Sequence, residues 1–176
     1  SDVRQIGFAP VVVAAPAHGQ VVLNTEGSFS YTPAKDYFGA DSFTYKVSNG
    51  EIDSNLSSVD ITVTPVNDAP VANADAVTTD EESPLTIGAV SLLANDSDVD
   101  TGDTSTLVYV AGGAAGTFVS IVDGDVVYNP GAAFQFLKAG ESATDYFTYT
   151  MQDSAGAQSS ATVSVTIAGS NDAAVI

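Results

Sequence analysis

The chain has 176 residues, enough for one or two domains. Its 22 acidic residues are set against only Arg4, Lys35, Lys46 and Lys138, for a net charge of −18, which disfavours nucleic acid and anionic membrane surfaces as partners, since both need clustered Lys and Arg. There is no cysteine, so disulfides, thiolate zinc sites and cysteine nucleophiles are excluded together. Taken in order, Val11-Val12-Val13 reads as a buried strand and Pro16-Ala17-His18-Gly19 as a turn. Gln20–Leu23 and Ser28–Thr32 flank Asn24-Thr25-Glu26-Gly27, a hairpin with a glycine available for positive φ. Ser42–Val47 alternates, with Phe43, Tyr45 and Val47 on one face. Asn49-Gly50 is a turn signal, and Val59, Ile61 and Val63 alternate in the strand that follows. Val71–Thr79 predicts an edge strand with a break, and Leu85–Ile87 a further strand. Ala89–Ala94 is an apolar run of core-strand length, followed by an acidic loop from Asn95 to Asp103. Leu107–Val110, Thr117–Val122 and Val126–Tyr128 read as strands, with Asp123-Gly124 as a hairpin turn, and Asp145–Met151 and Thr162–Ile167 close the series. No helical apolar period is sustained, no apolar run approaches the roughly 18 residues of a membrane span, and no signal peptide opens the chain. Many short alternating runs that end in Gly, Asn, Asp or Pro predict an all-β sandwich.

The chain repeats itself. Val66-Asn67-Asp68-Ala69-Pro70-Val71 recurs as Ser170-Asn171-Asp172-Ala173-Ala174-Val175, an offset of 104 residues, and Asp41, Phe43, Thr44 and Tyr45 match Asp145, Phe147, Thr148 and Tyr149 at the same offset. A fixed period with matching residues predicts repeated domains: a unit over 1–66, a linker over 67–70, a second unit over 71–170, and the start of another linker or repeat over 171–176. Gly19, Tyr31 and Pro33 match Gly116, Tyr128 and Pro130 at an offset of 97, so seven residues are inserted in the second unit before Asp145. Carried backwards, the alignment sets Ser1-Asp2-Val3 on Ser97-Asp98-Val99 and leaves the first unit without a counterpart of residues 69–96. The expectation is a first unit that lacks its N-terminal strands, within a longer array. Its open edges would invite a borrowed strand and strand-swapped self-association.

Asp96, Asp98 and Asp100 alternate in one loop, where a turn can converge their carboxylates on a cation. The net charge makes calcium the candidate, because it takes six to eight oxygen ligands and relieves carboxylate repulsion. An EF-hand is excluded: Thr101 stands where that loop needs glycine and Leu107 where it needs glutamate. The remaining ligands must come from elsewhere in the chain. Each acidic group also has a plainer reading. Asn67-Asp68 suits an Asx-turn before Pro70, Glu81-Glu82 suits a charged guard on an edge strand, and Asp41 suits a strand cap.

Ala94-Asn95-Asp96-Ser97-Asp98-Val99-Asp100, Asp145-Tyr146-Phe147-Thr148-Tyr149 and Asn171-Asp172-Ala173 resemble the VCBS repeat of large bacterial surface proteins. Pro16-Ala17-His18-Gly19, Gly27–Pro33 and Asp41–Tyr45 are similar to bacterial cadherin-like repeats. The resemblance covers nearly the whole chain. It implies two tandem immunoglobulin-like, cadherin-like Greek-key β-sandwich domains. It also implies tandem arrays in giant adhesins and repeats-in-toxin proteins, exported by type I secretion from Gram-negative bacteria. By looser resemblance to animal cadherins, a calcium site at the junction would use Asn67 and Asp68, Glu81 or Glu82, Asp96 and Asp98, with Asp100 joining and Asp36 and Asp41 contributed by the preceding domain. The animal linker carries a further Asn where this chain has Ala69.

His18 is the only histidine and sits beside Gly19 in a turn, so it reads as a surface residue; no Gly-x-Ser-x-Gly elbow accompanies it. The alternating Tyr31, Phe43, Tyr45, Tyr128, Phe147 and Tyr149 read as core ahead of a sugar-stacking platform. Phe134 and Phe136, in the insertion, fit either exposed aromatics or a loop folding back. The expected function is non-enzymatic: a calcium-rigidified extender whose partners are the neighbouring repeats. The alternatives are a glycan- or protein-binding module and an accessory domain of a secreted enzyme or toxin.

Overall fold

A computed structural model describes residues 7–114 and 116–171. The chain divides into two compact units, Ser1–Val66 and Asn67–Ile176. The Ser1-Asp2-Val3 alignment and the recurrence over Asp172–Val175 lie outside the described residues.

Unit 2 is a two-sheet sandwich. One sheet runs β6 (Asp75–Asp80), β12 (Gln158–Ala168), β11 (Ser142–Gln152), β8 (Thr106–Gly112); the other runs β7 (Leu85–Ile87), β10 (Asp125–Asn129), β9 (Phe118–Val122). β6, β7, β8 and β9 alternate between the two sheets, whereas β9–β10 and β11–β12 are neighbours within one sheet, and the mixture of crossings and hairpins is that of a Greek key. Pairing is antiparallel except for β6, which lies parallel to β12 from Asp75↔Val163 to Asp80↔Ala168. Alternation sends Phe147, Tyr149 and Met151 of β11 and Val163, Val165 and Ile167 of β12 inward, where each is at most 1% exposed. They pack with Ile87, Val126 and Tyr128 of the facing sheet. At the predicted Asp123-Gly124 turn both residues have positive φ, 52° and 90°, the geometry that suits a two-residue hairpin to strand twist.

Two segments differ from the strand reading. Ala89–Ala94 is not a strand: Ala89–Leu92 forms a single helical turn, α1, followed by a 3-10 turn at Leu93–Asn95. The Asp125 carboxylate accepts the Ala89 N–H at 2.9 Å, so a side chain from β10 stands in for the missing cap of this turn. One face follows Leu92 into the core, at 1% exposure, while Val90 is left 86% exposed. In the insertion the two aromatics part company. Phe134 and Leu137 fold into the core, joined by a Leu137 N–H to Phe134 carbonyl bond of 2.9 Å, while Phe136 stays outside.

Unit 1 has the same strand succession with fewer members. β1 (Ala9–Ala14), β4 (Gly39–Ser48) and β5 (Ser57–Val63) form one sheet in the order β1-β4-β5; β2 (Gly19–Leu23) and β3 (Phe29–Pro33) form the other. These five correspond to β8, β11, β12, β9 and β10. Among the described residues of this unit, only Phe43, at 1% exposure, and Pro16 are buried apolar residues. Val11-Val12-Val13 is a strand but not a buried one: Val11 and Val13 are 45% and 50% exposed. The difference has a physical reason, since no strands corresponding to β6 and β7 complete the sandwich among the described residues.

Candidate metal centre

The acidic loop closes one end of unit 2. It is tied to the linker by a two-way backbone bridge between Val71 and Ser97, with N–H···O distances of 2.8 and 3.1 Å. The bridge delivers Asn67 and Asp68 to the loop: the Asp68 N–H donates to Asp100 Oδ2 at 2.7 Å, and Asn67 Nδ2 donates to Asp153 Oδ2 at 2.9 Å. Asp153 is 5% exposed, and its other oxygen accepts the N–H groups of Ala155 and Ala157. The Asn67 amide, against the opposing effect of burial, and these backbone donors hold its carboxyl below the ordinary range.

Oxygens of Asp98, Asp100 and Asp103 all lie within 4.8 Å of one another. They line a cleft of about 420 Å³ with Asp96, Leu93 and Met151. Asp98 Oδ1 accepts the Asp100 N–H at 2.9 Å, but Asp98 Oδ2 is buried and has no hydrogen-bond partner. Asp103 accepts the Ser154 hydroxyl. No Lys or Arg stands in the cleft lining; Lys35 pairs with Asp36 and Lys46 with Asp53, all in unit 1. Three carboxylates without a cation between them repel one another, and a buried oxygen without a donor is costly. A hard cation answers both, and an all-oxygen donor set of Asp carboxylates suits calcium or magnesium rather than zinc.

Asp96 stands slightly apart. Tyr149 Oη donates to it at 2.9 Å and the Asn73 N–H at 2.7 Å. Burial, and then the Asp96 charge, raise the carboxyl pKa of neighbouring Asp75, whose Oδ2 is also buried and partnerless. Tyr149 is pushed above the usual phenol range by burial first and by Asp96 next.

The structure therefore gathers Asn67, Asp68, Asp96, Asp98 and Asp100 at one end of unit 2. Glu81 and Glu82 do not join them. Glu81 follows the far end of β6, six strand residues beyond Asp75, roughly 20 Å at about 3.3 Å per residue. Its Oε1 accepts the Ser170 N–H and Oγ at 2.6 and 3.1 Å, just past β12, and its Oε2 is buried without a partner. The resemblance to animal cadherins places Glu81 or Glu82 with Asn67, Asp68 and the acidic loop, but the length of β6 along β12 keeps Glu81 at the opposite end. Asp41 is likewise not a free ligand. Its two oxygens accept Ala17 N–H, His18 N–H, Ser42 N–H and the Tyr31 hydroxyl at 2.8–2.9 Å, so it locks the His18 turn onto β4. Burial opposes ionisation of Asp41, but these four donors outweigh it and hold its pKa at about 2. Asp36 is exposed and paired with Lys35 at 2.7 Å. Asp103 and Asp153 belong to the acidic end, although the sequence pattern does not single them out as ligands. Asp103 breaks the alternate-residue spacing, and Asp153 lies some fifty residues downstream, where the unit 1 counterpart is Asn49.

No curated protein matches the sequence. Among solved structures, the fold is similar to human mucin-like protocadherin EC1-2, with 15% identity, 93% of this chain and 85% of that one covered, and a TM-score of 0.52. It is also similar to Drosophila N-cadherin EC1-4, with 17% identity, 96% and 44% covered, and a TM-score of 0.55. Mouse cadherin-23 EC22-24 gives 17% identity, 94% and 53% covered, and a TM-score of 0.51. This chain spans less than two thirds of the two latter structures. At the level of sequence families, the bacterial cadherin-like domain matches residues 1–65 and again residues 67–169. The chain belongs to the bacterial cadherin-like domain family, with one copy in each of its two units.

Proposed function

We propose that this chain is a structural extender segment of a large bacterial adhesin, outside the cell, whose linker is stiffened by calcium. The observation that carries the reading is the convergence of Asp98, Asp100 and Asp103 around a buried, partnerless Asp98 oxygen, at the end of unit 2 where Asp68 of the linker is bonded to the acidic loop. Calcium there would be held by Asp98, Asp100 and Asp103, with Asp96, Asn67, Asp68 and Asp153 close by. It would cancel the repulsion that opposes closing the loop over the linker. A fixed linker carries direction from one repeat to its neighbours, which are the partners this reading names. The two consecutive family matches and the cadherin-like fold fit an extracellular adhesion or structural module. A Gram-negative surface reached by type I secretion follows from the resemblance to repeats-in-toxin adhesins. No helix among the described residues is long and apolar enough to cross a membrane.

Isothermal titration of the full chain with calcium chloride tests the reading. Saturable binding is expected, lost in Asp98→Asn with Asp100→Asn. The absence of binding heat, together with a melting temperature indifferent to chelator, would refute it.

A further inference from the structure

The acidity of this chain is not spread evenly. In β8, β11 and β12 of unit 2, Asp145 is the single charged residue, and it is turned inward, 6% exposed, where it accepts the Tyr128 hydroxyl. The outward face of the sheet is therefore free of charge across three neighbouring strands, in a chain with 22 acidic residues. β6 adds one acid to this face, Asp80, at its last position beside Ala168. Strand alternation explains what stands there instead. With Phe147, Tyr149 and Met151 turned into the core, Tyr146, Thr148 and Thr150 of β11 face outward, and Thr162 and Ser160 of β12 lie opposite the two threonines.

Two aromatic rings project from that face. Tyr146 is 58% exposed, and Tyr109 of β8, which pairs with Thr150, is 60% exposed. Four residues along β11 and one strand across put their Cα atoms roughly 14 Å apart, at about 3.3 Å per residue and about 4.8 Å per strand. Thr148 and Thr150 stand in between. The Thr148 hydroxyl donates to the Ala111 carbonyl at 3.1 Å, and the Thr150 and Ser160 hydroxyls bond each other at 2.8 Å. These hydroxyls are held in place and keep lone pairs for a further donor. The outward positions of β11 and β12 hold no Val, Leu, Ile, Met or Phe, so the face lacks the apolar centre that a protein partner would bury.

We propose that this face of unit 2 binds an uncharged glycan chain, with sugar rings laid against Tyr146 and Tyr109 and sugar hydroxyls bonded to Thr148, Thr150 and Ser160. A tyrosine ring offers a rigid, amphipathic surface at little entropy cost, and Ser and Thr hydroxyls both donate and accept. The CH-rich face of a sugar ring matches the first, and its hydroxyls match the second. A separation of roughly 14 Å between the tyrosines leaves room for several sugar units, so one chain touches both. Charge chooses among glycans. A uronic or sulfated chain would bring anions to a molecule of net charge −18, with no Lys or Arg in β8, β11 or β12 to receive them. A neutral chain meets no such repulsion. The face lies on the flank of the sandwich, whereas the acidic loop closes one end, so glycan contact is a role added to that of an extender.

Affinity electrophoresis of the 176-residue chain through gels containing dextran, mannan or a mixed-linkage β-glucan tests the proposal, with alginate and dextran sulfate as anionic counterparts. At least one neutral polysaccharide is expected to retard the chain, and neither anionic one. Tyr146→Ala and Tyr109→Ala should each weaken that retardation about tenfold, the scale of a truncated aromatic anchor, with the melting temperature unchanged because both rings stand largely in water. Thr148→Glu keeps both rings, sets a charge between them, and should abolish the retardation. Unchanged migration in every neutral gel overturns the proposal, as does retardation that survives the double tyrosine variant or is stronger in the anionic gels. So does a dimer in sedimentation that Thr148→Glu dissolves, which would make a second copy the occupant of the face.

Discussion

Unit 1 and unit 2 form the same pair of polar side chains in very different surroundings. Tyr31 donates to Asp41 at 2.8 Å and Tyr128 to Asp145 at 2.7 Å, and both aspartates also accept backbone N–H groups from the turn before the hairpin. Tyr128 is fully buried, whereas Tyr31 is only half-buried. The lock therefore depends on local geometry between two strands and one turn, not on a completed core. It also separates the carboxylates of this acidic chain into two kinds. Asp41 has all its acceptors used and holds the fold together. Asp98 keeps a buried acceptor unused, and there a cation has something to gain.

The sharpest way to break the comparison is to cut matched core residues. Ile167→Ala in unit 2 should cost about 2–5 kcal/mol, as expected for a large-to-small change at a fully buried site. The counterpart Val63→Ala in half-open unit 1 should cost less than about 1 kcal/mol, because much of the side chain is already in water. Denaturant titrations that report each unit separately would read the two values; equal costs would mean that unit 1 is as closed as unit 2.

Calcium should act on unit 2 alone. At about a hundredfold excess over Kd the expected stabilisation is about 2.7 kcal/mol, seen as a higher melting temperature for unit 2 and none for unit 1. Asp98→Asn should abolish the response and raise the melting temperature in chelator, since it removes one of three converging charges. A calcium effect on unit 1 of equal size would erase the distinction between saturated and unsaturated carboxylates.

The smallest effects follow pH. The Asp41 carboxyl titrates at about 2 in the folded state, below its ordinary value near 3.9. Its contribution to unit 1 is therefore complete above about pH 4 and is lost as pH falls towards 2. Asp41→Asn should flatten that acid limb. Tyr31 is shifted the opposite way, to about 12, by burial and by Asp41. Its contribution is complete below about pH 10 and is lost as pH rises through 12, a limb that Tyr31→Phe should remove.

Much of this was legible in the sequence. The 104-residue offset carries Phe43 onto Phe147 and Asp41 onto Asp145, and all four side chains are buried, because matched alternation in matched strands fixes matched faces. Val71–Thr79 is an interrupted edge strand, as its broken alternation suggests. The helical turn at Ala89–Leu92 was hidden because a short apolar run has no readable period, and what caps the turn is Asp125, thirty-six residues away. Glu81 was misplaced for a similar reason. The looser resemblance to animal cadherins supplies the Glu but not its distance, and only the pairing of β6 with β12 shows that Glu81 lies far from the acidic loop.

The direction of β6 also sets how unit 2 meets tension. The chain enters the sandwich at the start of β6 and leaves it at the end of β12, and the two strands run side by side in the same sense. Pulling the two ends apart slides β6 lengthwise along β12. The six residue pairs from Asp75↔Val163 to Asp80↔Ala168 then carry the load together, as rivets do in a lap joint, instead of opening one after another like a zip.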